Sequence, residues 1–140
     1  MKGKLIWSVF WALVAVFIVI VCLLLAPAFM GWIFLWLIIV SGAALFLLGA
    51  ALIFLTVKEK VGGVLKKFLL LTGASAMGIP VSISLHNAIY ALFIHFSGAD
   101  FWDRIGIGDE PVFFIMAIFV CPIGFLVGAI GSIVLRHKEV

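Results

Sequence analysis

Between Phe68 and Ala99 the chain carries Thr72, Ser75, Ser82, Ser84, His86, Asn87, Tyr90 and His95 but no formally charged residue. At about 100° per residue in a helix, Thr72, Ser75, Ser82, His86 and Tyr90 share a face within an arc of about 80°, and Ser84, Asn87 and His95 fall on the other side. On the first face Ser82, His86 and Tyr90 recur every four residues, so hydroxyl, imidazole and phenol on successive turns can relay a hydrogen bond or a proton. This stripe is the candidate polar path, and His86, expected about halfway across the membrane, is its centre. Its structural alternative is a neutral imidazole bonded to a neighbouring helix, with the Ile118 carbonyl as the expected acceptor because Pro122 supplies no donor to it. Asn87 is expected to act as glue between helices.

Other chemistry is scarce. His86 and His95 point to opposite faces of one helix, so a bis-histidyl haem has no pair of ligands within one chain. Cys22 and Cys121 stand alone in apolar runs without metal-ligand spacing, and with Met77 and Met116 they read as packing residues. Nucleotide loops, serine-hydrolase elbows, zinc-protease motifs and paired intramembrane carboxylates are not found in the sequence, so no catalytic residue, metal or cofactor is expected.

The elements that must carry these residues follow from the composition of the 140-residue chain. It is 67% hydrophobic and 11% charged, whereas an ordinary soluble domain is about a quarter charged. Nine Lys and Arg with six Asp and Glu cannot clothe a water-soluble globule. The basic balance comes from lysines at the ends of apolar runs, so nucleic acid is not an expected partner. Charge is absent from Leu5 to Val57, from Phe68 to Ala99 and from Val112 to Leu135. A helix needs about 20 residues to cross a hydrocarbon core of about 30 Å. The first run therefore holds two helices, divided at Pro27, and the chain is expected to be an all-α, polytopic integral membrane protein. Its single domain is a bundle of four transmembrane helices at about 5–25, 29–56, 68–97 and 112–135. Lys2, Lys4 and the following apolar stretch imitate a signal peptide, but that stretch is too long for one and a second apolar run follows at once.

Lys2, Lys4, Lys58, Lys60, Lys66, Lys67, Arg136 and Lys138 fall on one side of such a bundle, and Asp100, Asp103, Asp109 and Glu110 on the other. The positive-inside rule then places both termini in the cytoplasm of a cell at its plasma membrane. Trp7 and Trp11 fall near the inner boundary, and Trp32, Trp36 and Trp102 near the outer one. In the outer loop, Asp100 and Asp103 are expected to cap a short interfacial helix at about 101–105, and Asp109 and Glu110 to cap the last span.

Helix association in lipid relies on small residues that let backbones approach. Gly42 and Gly49 in the second span, Ala74, Gly78 and Ser82 in the third, and Gly124, Gly128 and Ser132 in the fourth are the expected packing positions, serving either one chain or a seam between copies. Pro80 and Pro122 are expected to kink their helices. The sequence is thus expected to encode a small membrane protein of accessory or interaction type, in contact with lipid and with a membrane-protein partner or a second copy. Its alternative is a small transporter or channel whose path runs through Thr72, Ser75, Ser82, His86 and Tyr90.

Overall fold

The computed structural model describes residues 3–25 and 31–139, so the expected break at Pro27 lies outside the described residues. Within them the chain forms α1 (Lys4–Leu25), α2 (Trp32–Lys58), α3 (Gly63–Ser97), α4 (Phe101–Arg104) and α5 (Pro111–Ile115), then a π-helical segment (Met116–Val120) and α6 (Cys121–Glu139). The last three run on as one long helix, and four helices in all are long and apolar enough to cross a membrane. No strand occurs among the described residues.

Helix α3 begins at Gly63, ahead of the expected 68, because the end of a charge-free run marks a change of solvent and not the end of a helix. Lys66 and Lys67 lie in its first turns. Its 35 residues extend about 52 Å, well beyond a hydrocarbon core. Pro80 is accommodated without interrupting the helix. Pro122 instead lies two residues past the end of the π-helical segment, in the first turn of α6. A widened turn before it suits a proline whose ring would crowd the carbonyl four residues earlier and whose nitrogen donates nothing.

The four long helices share one apolar core that includes Phe10 and Leu13 of α1, Leu45 and Leu52 of α2, Leu69 and Ala76 of α3, and Phe125 of α6. Helix α3 is the central element, packed against α2 on one side and α6 on the other, and α1 lies along α2. Phe17 of α1 also stacks on Phe125 with ring centroids 4.2 Å apart. At the end where the lysines gather, the Arg136 guanidinium sits 4.2 Å from the centroid of the Trp7 ring. We call this the basic end, and the opposite one the acidic end.

Glycines set the closest approaches. A Cβ on Gly49 would lie 2.7 Å from the Gly73 carbonyl oxygen, and one on Gly73 would lie 2.9 Å from that of Gly49. Across the other interface, Gly78 meets Cys121, Gly124 meets Ser75 and Gly128 meets Thr72. Ser132 is buried and donates to the Gly128 carbonyl within its own helix. Of the expected packing positions, Ala74 is the one displaced: it is exposed, and its neighbour Gly73 is buried against α2. One residue is about 100° of helix, so the crossing of α2 decides which small residue it meets. Gly42 makes only ordinary contact, with its would-be Cβ 3.7 Å from Pro80.

Candidate functional site

The polar stripe of α3 faces the fourth long helix, and its five residues meet different fates. Thr72 is fully buried, and its hydroxyl donates to the Phe68 carbonyl at 2.8 Å. Ser75 and Ser82 are buried, with Ser75 held under Gly124. These three residues are packed against helix rather than lining an open path. The groove of about 700 Å³ between α2 and α3, bordered by Ile38, Gly42, Phe46, Pro80 and Leu85, is lined by none of the five stripe residues, and Ser84 is the hydroxyl on its wall.

His86 and Tyr90 belong to a separate cluster at the acidic end. His86 is level with the start of the last span, which Glu110 caps. The structure corrects the expected partner. In place of the Ile118 carbonyl, His86 Nδ1 meets the Glu110 carbonyl oxygen at 3.1 Å and Glu110 Oε2 at 3.2 Å. Its other ring nitrogen, Nε2, lies 3.6 Å from Asp109 Oδ1. Both neighbours of Nδ1 are acceptors, so Nδ1 carries a hydrogen and donates it.

Glu110 is the residue whose weight sequence reasoning missed. It caps the last span as expected, with Oε1 accepting from the Val112 N–H at 2.8 Å and Oε2 from the Phe113 N–H at 3.0 Å. It is also buried, at 4% exposure. Carboxylates are rarely buried so fully unless partnered, and here two backbone donors, the amino-terminal end of a helix dipole and an imidazole offset the loss of water. The signal was present in Asp109-Glu110-Pro111, but only contact with α3 distinguishes this cap from an exposed one. Asp109 is half exposed and accepts from the Glu110 N–H at 2.7 Å.

Above this cluster the loop folds onto α3. Trp102, expected among headgroups, is buried at 7% exposure. Its indole stacks on Tyr90 at 5.8 Å with planes 7° apart, and its N–H donates to the Tyr90 carbonyl at 3.3 Å. Asp100 does not cap α4 with its side chain but pairs with Arg104 at 3.3 Å. Arg104 in turn donates to the Ser97 carbonyl at the end of α3, a common use of a cation beside unpaired helix carbonyls. Asn87 is exposed and donates to Ile83 of its own helix at 2.8 Å, so it does not join helices. His95 is exposed, beside Phe96. Replacing Trp102 by Phe removes one N–H bond while keeping a stacked ring. It is expected to cost about 1 kcal/mol, and Trp102→Ala about 3 to 5 kcal/mol, measured as loss of helical signal on thermal unfolding in detergent.

No group of three or more His, Cys, Asp or Glu side chains suited to a metal ion occurs among the described residues. No protein-family model matches the chain, and no curated protein or solved structure is significantly similar to it. The class is set by architecture alone: all-helical among the described residues, with four helices long and apolar enough to cross a membrane, the pattern of a multi-pass membrane protein.

Proposed function

We propose that this protein is a non-enzymatic accessory or interaction subunit of the plasma membrane, a four-helix bundle with both termini in the cytoplasm. The observation that favours this is the internal satisfaction of its polar groups: no buried side-chain nitrogen or oxygen among the described residues lacks a hydrogen-bond partner. A conduction path needs polar groups free to exchange partners with water or substrate. Here the hydroxyls of Thr56, Thr72 and Ser132 are each spent on a carbonyl of their own helix, and glycines of α6 close over the stripe. The cytoplasmic placement of the termini rests on the lysines of the basic end. The partners are lipid and either a second membrane protein or another copy of this chain.

Proteoliposomes loaded with a pH-sensitive dye provide the test. Under an imposed proton or cation gradient the purified protein is expected to give no flux above empty vesicles. Flux that depends on pH and disappears in His86→Ala overturns the accessory reading in favour of the transporter or channel. Gentle detergent extraction is expected to retain a stoichiometric companion whose activity falls when this protein is deleted.

A further inference from the structure

The imidazole of His86 lies between two carboxylates of unequal burial, and they respond oppositely to the loss of a proton. Glu110, 5% exposed at its side chain, sits at Nδ1, and Asp109, 52% exposed, sits at Nε2. Nδ1 keeps its hydrogen because both of its neighbours are acceptors. The proton that comes and goes is therefore the one on Nε2. With it, an N–H of the imidazolium faces Asp109 Oδ1 at 3.6 Å, an attractive pair. Without it, a nitrogen lone pair faces a carboxylate oxygen, and the attraction is gone. The contact with Glu110 survives either way.

Few other groups bear on the ring. Phe114 lies 5.6 Å away and Tyr90 6.4 Å, centroid to centroid. Helix α4 reaches the cluster through Trp102 on Tyr90, and its Arg104 is engaged with Asp100. The only titratable residue of α2, Lys58, and Lys4 of α1 are at the basic end, while Cys22 of α1 is exposed. The chain between the fixed points Trp102 and Glu110 is exposed from Asp103 to Asp109. It contains Gly106 and Gly108, both at φ +75°, a backbone region in which glycine turns without strain.

We propose that His86 and Asp109 form a proton-dependent tether, which holds the loop at Asp109 against α3 when Nε2 is protonated and frees it when Nε2 is neutral, while the N–H groups of Ile107 and Gly108 stay on the Trp102 carbonyl at 3.2 Å. Glu110 is the constant anchor about which the loop moves. The device goes beyond the accessory role: it makes the shape of the acidic face depend on the protonation of one side chain.

A nitroxide attached at Ile107→Cys reads the tether, in a Cys22→Ala background where the other thiol, Cys121, is buried. Ile107 is 53% exposed, so the label reports loop motion without disturbing the core. In lipid nanodiscs the mobile fraction of the spectrum is expected to rise roughly twofold from pH 5.5 to pH 8.0. Both His86→Gln and Asp109→Asn are expected to abolish that change, each leaving the spectrum at the mobile limit. Asp109 is exposed enough for its substitution to leave folding intact, which a matching thermal unfolding curve verifies. A spectrum that is the same at both pH values in the parent protein overturns the tether, and so does a pH response that persists in Asp109→Asn.

Discussion

Glu110→Ala is expected to lower the stability of the folded protein by about 2 to 4 kcal/mol, an unusually large loss for a residue in a surface loop. Two terms contribute. The N–H groups of Val112 and Phe113 lose their acceptor at the start of the last span, which costs about 1 kcal/mol for a typical amino-terminal cap. The half-buried imidazole of His86 loses the carboxylate at Nδ1, and a polar group stripped of its partner costs about 1 to 3 kcal/mol. Glu110→Gln keeps an oxygen for the two N–H groups and is expected to lose less than half as much. Denaturation in mixed micelles, followed by helical circular dichroism, measures both variants. An alanine variant within about 0.5 kcal/mol of the parent, the range usual for an unremarkable surface position, would show that the burial of Glu110 has no energetic consequence.

Gly128→Ala is expected to have the largest effect of any single methyl added to this protein. The new Cβ would lie 2.7 Å from the Thr72 backbone nitrogen and 2.9 Å from the Phe68 carbonyl oxygen. Neither atom belongs to a side chain that can swing aside, so α3 and α6 must separate, and the contact of Thr72 with the glycine face opens. Overpacking of this kind costs about 1 to 3 kcal/mol, even though alanine returns up to about 1 kcal/mol in helix propensity over glycine. The control is Gly42→Ala, where the added Cβ meets Pro80 at 3.7 Å, an ordinary contact. That variant is expected to equal or exceed the parent in thermal stability. Equal melting of the two variants would remove the basis for assigning the α3–α6 interface to glycine packing. If Gly128→Ala also dissolves that interface, cross-linking between a pair of cysteines introduced at the basic ends of α3 and α6 is expected to fall with it.

How much of this was legible in the chain varies by residue. The charge-free runs located four long helices, because ionised side chains in hydrocarbon are costly and so mark the boundaries. The common face of Thr72, Ser75, Ser82, His86 and Tyr90 was also legible, because helical periodicity alone sets azimuth, and that face does meet the fourth long helix. Gly124 and Gly128 stood out as a face where another backbone fits closely. Ala74 was misplaced in favour of Gly73, since adjacent small residues differ by a rotation that only the crossing helix selects. Trp102 was read from its amphipathic ring as a headgroup anchor, but the loop that carries it folds back onto Tyr90.

The sequence by itself therefore determined the solvent of each segment, the faces of each helix and the residues suited to close packing. These follow from composition and from a fixed rotation per residue, both of which are local. Only the tertiary structure decided that the start of the last span lies beside His86, because the relative height of two helices depends on how their glycines interlock and on where each leaves its loop. That vertical register turned Glu110 from a local cap into a buried partner and gave Asp109 a proton-bearing neighbour. It also set His86 beside the charged start of the last span, apart from the packed hydroxyls of Thr72 and Ser75.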